Sequence, residues 1–150
     1  MATNRFSYSA KFVCGTQAQP QTNPNVCFSV RPGTYATEIN IYNHHLDQAA
    51  EVEKFFVPLV LNGEPIGREP RVAGVRTREA IVLKPQTGTM DDCCRIDEVL
   101  KLPSPAALTI GFLQIFSTIE LSVTAVYTAT DPRSNGLSID VDQIEAKLLP

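Results

Sequence analysis

The chain is predicted to be all-β, a two-sheet antiparallel sandwich of the immunoglobulin-like or jelly-roll kind, on three observations. Apolar residues recur at every second position through most of its length, the pattern of half-buried strands. Gly, Pro, Asn and Asp punctuate these runs at short intervals, as turns require. Only one short stretch, near 92–101, has helical spacing, so no alternation of strands and helices builds a parallel sheet. A sandwich follows because each sheet needs a cover for its apolar face. At 150 residues the chain is expected to form one domain, 1–150, large enough to bury most of its apolar surface without metal or disulfide staples.

The elements follow in order. Phe6, Tyr8, Ala10, Phe12 and Cys14 share one face of a first strand, which Gly15 is expected to end. A polar loop, 16–25, rich in Gln, Asn and Pro, leads to a short strand at 26–30 and a turn at Arg31-Pro32-Gly33. A strand at 34–42 closes at Asn43-His44-His45. The next, 51–61, contains Pro58, which lacks an amide for the ladder and so marks an edge or a bulge. After the turn at 62–65 comes an irregular Arg- and Gly-rich connection, then a strand at 79–84. Asp91 or Asp92 is positioned to cap a helix of one or two turns, with Ile96, Val99 and Leu100 on one side and Pro103 and Pro105 as stops. Strands at 108–116 and 119–128 follow, the second with the clearest alternation in the chain. The C-terminal extension, 131–150, begins with a turn and continues as a terminal strand or tail in which Leu137, Ile139 and Val141 alternate with Ser138, Asp140 and Asp142. This makes seven or eight strands. The glycines, Gly111 included, read as scattered through turns, with no phosphate-binding loop among them.

Composition narrows the function classes. Apolar runs fall far short of a membrane span, so no transmembrane segment is expected. The net charge is −3 and no long basic stripe exists, which argues against nucleic acid as a partner. Residues 64–84 carry five cations against three carboxylates, whereas 91–101 and 131–147 each carry two cations against four carboxylates. These segments read as solvated loops or as complementary charge between neighbouring copies. The N-terminus lacks the basic start and apolar core of a secretory signal, so the expected location is the cytoplasm, or outside by a signal-independent route, unless the mature form begins here.

Candidate chemistry is sparse. His44 and His45 are adjacent and would point to opposite faces of a strand, with no metal-ligand spacing to either Cys93 or Cys94. No nucleophile elbow or close Cys–His pair marks a catalytic site, so no catalytic residue, metal or cofactor is expected. Asp140 and Asp142 share a face and read as a solvated edge rather than a cation site. The four cysteines, Cys14, Cys27, Cys93 and Cys94, are too few for a disulfide scaffold and read either as reduced, buried thiols or as candidate crosslinks. In a strand, adjacent Cys93 and Cys94 would face opposite ways, leaving one thiol outward for a neighbouring subunit.

Four blocks, KFVCG at 11–15, RPGTYATEINI at 31–41, ELSVTAVYTA at 120–129 and SIDV at 138–141, resemble a group of uncharacterised bacterial β-sandwich proteins. Members of that group share the blocks in this order, with a Cys near Cys93 or Cys94. The resemblance spans most of the chain and implies a shared fold; it carries no activity with it.

The function expected is therefore a non-catalytic structural or assembly module, a homo-oligomer joined through edge strands and terminal extensions as in a filament, surface layer or shell. The alternative is a ligand- or protein-binding module whose 64–78 loop presents Arg68, Arg71, Arg76 and Arg78 to an anionic partner. A metal-dependent enzyme using a His/Cys set stands third.

Overall fold

A computed structural model describes residues 3–19 and 27–150. The chain is antiparallel β with one short helix: β1 (Phe6–Gln17), β2 (Gly33–Tyr42), β3 (Ala50–Leu61), β4 (Glu64–Pro65), β5 (Thr77–Leu83), β6 (Gly88–Asp92), α1 (Cys93–Val99), β7 (Thr109–Ser117), β8 (Ser122–Thr130), β9 (Leu137–Ile144) and β10 (Lys147–Leu148). No helix among the described residues is long and apolar enough to cross a membrane.

Hydrogen bonding runs along one continuous path, β4-β3-β7-β1-β2-β8-β9, with β10 added to β1, β5 to β3 and β6 to β2. Pairing therefore joins all ten strands into one sheet that is continuous through β1. Its pivot is β1, which pairs with β7 from Phe6 to Cys14 and with β2 from Gly15 to Gln17. Gly15 thus redirects the first strand instead of ending it. Its φ of +104° is one that side chains disfavour, and a Cβ there would stand 3.0 Å from the Ala107 carbonyl oxygen.

One main core gathers the inward residues of five strands and the helix: Tyr8 and Phe12, Ile39 and Ile41, Val52 and Phe56, Leu113 and Ile115, Val123 and Ala125, and Ile96. Alternation decides which side chains go in. On β7 the inward set is Leu113 and Ile115, so Phe112, Gln114 and Phe116 turn to the other face. There Phe116 meets Phe55 edge-on, ring centres 5.3 Å apart.

Several elements differ from expectation. Residues 27–30 bend without forming a strand, and Val26 and the 20–25 part of the polar loop lie outside the described residues. Strand β6 has no counterpart in the sequence pattern, because Gly88-Thr89-Met90-Asp91-Asp92 has little β-propensity; it forms by pairing with the last half of β2. The extension after residue 131 is no free tail. Strand β9 pairs with β8 over its whole length, and the chain then crosses to β1, where Leu148 lies opposite Phe6 and the Leu149 amide donates to the Arg5 carbonyl at 2.8 Å.

Two expectations are met in detail. The β3–β7 register slips between Pro58 and Val60, the bulge that Pro58 predicts. Helix α1 is capped by the Asp92 side chain, which accepts from the Arg95 amide at 2.9 Å. It ends when Lys101 takes φ +56°, with the Leu102 amide donating to the Asp97 carbonyl and the Lys101 amide to that of Glu98. Gly111, by contrast, sits in no turn. It lies in mid-β7 opposite Pro58, where a Cβ would come within 2.3 Å of the Val57 carbonyl oxygen.

Candidate functional site: an open sheet edge beside a disulfide-tied helix

The feature that sets this surface apart is β9. It is the last strand on its side of the path, so among the described residues only one of its edges is paired. Seven of its eight residues are exposed, and Leu137, Ile139 and Val141 keep 63%, 60% and 62% of their surface open. They lie beside Thr130, Thr128 and Val126 of β8 on one face. The other face carries Ser138, Asp140 and Asp142, and neither Asp joins an ion pair among the described residues. An edge strand offers its unpaired main-chain groups to another chain, and charges on it oppose that pairing.

On that second face Asp140 stands opposite Tyr127 of β8. The Tyr127 hydroxyl donates to the Lys11 carbonyl at 2.8 Å, bridging β8 to β1. Burial first, then the nearby Asp142 carboxylate, push the phenol above its usual pKa, against the opposing pull of the Lys11 bond; Asp140 adds to the rise.

The cysteines divide. Cys14, buried on β1, is bonded to Cys93 at the start of α1, across 79 residues of sequence. The reading of all four as reduced thiols is corrected for this pair, and neither sulfur is free to join copies. Cys94 and Cys27 are free and exposed. Cys94 borders a cleft of about 250 Å³ formed with Cys93, Asp92, Glu38 and Ala36 of β2, and Val126 and Thr128 of β8. Cys27 lines a second cleft, of about 290 Å³, with Phe28, Leu59, Val60 and Arg68.

The four arginines make separate contacts or none among the described residues. Arg78 lies on β5, bonded to Glu53 at 3.1 Å and stacked over Phe55. Arg71 donates to the Pro65 carbonyl at 2.9 Å. Arg68 and Arg76 are exposed, and neither forms an ion pair among the described residues. His44 and His45 lie past the end of β2 and stack with centres 4.5 Å apart, so the opposed orientation of a strand does not apply. His45 bonds the Glu120 carbonyl through Nε2 at 2.8 Å. Among the described residues no three His, Cys, Asp or Glu side chains are grouped to hold a metal ion.

One charged cluster escapes the sequence pattern. Lys54, on the inward face of β3 between Val52 and Phe56, has its ammonium 2.9 and 3.0 Å from the two carboxylate oxygens of Asp91 on β6 and 3.3 Å from Glu79 on β5. Glu79 in turn accepts from Arg95 of α1 at 2.6 Å, and Arg95 reaches Glu98 at 3.1 Å. The cluster ties β3, β5, β6 and α1 together around a buried cation. The one available signal is a lysine at an inward position of an alternating strand; Asp91 itself reads as a helix cap.

Fold and site thus define an antiparallel β protein with an exposed terminal edge strand. No protein-family model and no curated protein matches the chain. Its fold is similar to a solved structure titled Thermotoga maritima 1070, with 10% identity, 96% of this chain and 94% of that one covered, and a TM-score of 0.49.

Proposed function

We propose that the chain is a non-catalytic structural or assembly module that joins copies of itself through its sheet edges and C-terminal segment. The observation that carries this reading is β9, an eight-residue edge strand with an exposed apolar row on one face and two aspartates, Asp140 and Asp142, on the other. The resemblance to the bacterial β-sandwich group belongs to the same proposal, as does the description of the sheet as an immunoglobulin-like or jelly-roll sandwich. Light scattering of the native protein with and without reductant tests it. The expected result is a mass above 16.4 kDa. Collapse of that mass on reduction, reproduced without reductant by Cys27→Ser with Cys94→Ser, assigns the contact to those thiols; indifference to reductant assigns it to strand pairing. A monomer in both buffers removes the reading.

A second reading rests on the 64–78 loop, where Val72 is 91% exposed beside Arg71 and close in sequence to Arg68 and Arg76. Such a loop suits an acidic protein partner. Replacing Arg68, Arg71 and Arg76 together by Gln then abolishes capture of that partner while leaving the circular dichroism spectrum unchanged.

A further inference from the structure

Resting on the assembly reading, we infer that the free edge of β9 pairs with the same strand of a second copy, antiparallel and about a two-fold axis at Ile139. The β8–β9 hairpin fixes which main-chain groups of β9 are spent on β8. The Asp131 amide donates to the Gly136 carbonyl at 3.1 Å, so Asp131 and Gly136 form a hydrogen-bonded pair. Bonded and non-bonded pairs alternate along an antiparallel ladder. Ser138, Asp140 and Asp142 therefore spend their main-chain groups on β8, while Leu137, Ile139, Val141 and Gln143 aim theirs at the open edge.

Those outward groups limit the registers that two identical edges can share. Outward residues must face outward residues, so in each register the two-fold axis passes through one residue of β9. Four centres align at least five β9 residues from each copy: Ile139, Asp140, Val141 and Asp142. A centre at Asp140 sets that carboxylate against its own mate. A centre at Val141 sets Asp140 against Asp142 of the second copy. A centre at Asp142 again opposes a carboxylate to its mate. Like charges directly opposed across a ladder are destabilising.

The centre at Ile139 alone avoids this. It sets Leu137 against Val141 of the second copy and Ile139 against itself, and it sets Ser138, a hydroxyl donor, against Asp140. The six apolar side chains then form one row, flanked on both sides by Val126, Thr128 and Thr130 of β8. The contact is isologous and closed, so it yields a dimer and leaves the β5 edge available for any larger assembly.

The test uses the full chain. Proline at 139 removes only an amide that β8 does not use, so Ile139→Pro is expected to keep the circular dichroism spectrum and to halve the mass of the dimer in sedimentation. Ile139→Cys, made with Cys27→Ser and Cys94→Ser, is expected to crosslink to a dimer under mild oxidation, because only the axial residue meets its own mate. Leu137→Cys and Val141→Cys in the same background are expected not to. A wild-type monomer at every concentration overturns both this inference and the assembly reading. An assembly that survives Ile139→Pro, or that crosslinks through Leu137→Cys or Val141→Cys in place of Ile139→Cys, overturns the β9 register and leaves the assembly reading standing. Should Ile139→Pro fail to fold, the three cysteine variants decide.

Discussion

The ammonium of Lys54 lies 2.9 and 3.0 Å from the two carboxylate oxygens of Asp91, and both side chains are more than nine-tenths buried. Removing one partner of such a pair leaves the other as an uncompensated buried charge, at a cost of about 3–5 kcal/mol. Lys54→Met is expected to lose that much in urea unfolding. Adding Asp91→Asn to it is expected to recover a large part, since Glu79 still has Arg95 as partner. A double-variant loss equal to the sum of the Lys54→Met and Asp91→Asn losses would show that the pair is not coupled.

Tyr8 joins β1 to the segment entering β8 through one hydroxyl, which accepts from the Leu121 amide at 2.7 Å and donates to the Leu121 carbonyl at 3.0 Å. Tyr8→Phe strands both main-chain groups in the core and is expected to cost about 1–3 kcal/mol for each group left unpaired. Burial, opposed by the Leu121 bond and aided by Glu120, raises the phenol above its ordinary 10.0. A raised value means the folded state holds the proton more tightly. Its contribution is complete below pH 10.0 and is lost as pH rises through the folded value. Alkaline unfolding curves of wild type and Tyr8→Phe check this: the variant is expected to lose less stability above that pH.

Asp97 has the opposite problem, a buried carboxylate oxygen with no hydrogen-bond partner among the described residues. Burial raises it above its ordinary 3.8. The favourable contribution of the protonated form is therefore present below pH 3.8 and lost as pH rises through the folded value, so the ionised group is a burden at neutral pH. Asp97→Asn is expected to raise the melting temperature at neutral pH, with the gain shrinking as the pH is lowered. A gain that is the same at all pH values would rule out ionisation as its cause.

What is legible in the sequence follows from which physics is local. The alternation from Ile119 to Tyr127 marks its inward face directly, because period 2 and one-sided burial are the same fact. The bulge at Pro58 and the Asp92 cap are readable for the same reason: a missing amide and a short carboxylate act on their immediate neighbours. Pairings between distant segments are not. Nothing near Cys14 names Cys93, and nothing near Lys54 names Asp91, since each pair meets only after the sheet has closed. Gly111 misleads for a related reason. Its lack of a side chain serves an approach to Val57 and Pro58 on another strand, which looks the same in sequence as a turn. The open edge of β9 is half visible: its alternation can be read, but not its pairing with β8.

The Cys14–Cys93 bond supplies the last prediction. It closes a loop across 79 residues, and loop-closure entropy for a span of that length corresponds to about 4.5 kcal/mol, within the usual range of about 2–5 for a native bond. It also fastens the seven-residue α1, too short to persist alone, to the middle of the sheet. Cys14→Ala with Cys93→Ala is expected to lower the denaturation midpoint, and hydrogen exchange is expected to quicken in α1 before it does in β3 or β7. Thiol titration of the unfolded, unreduced protein gives an independent check. Two reactive thiols, Cys27 and Cys94, are expected. Four would mean that the bond does not form, and the double variant would then unfold at the wild-type midpoint apart from the packing lost at the buried Cys14.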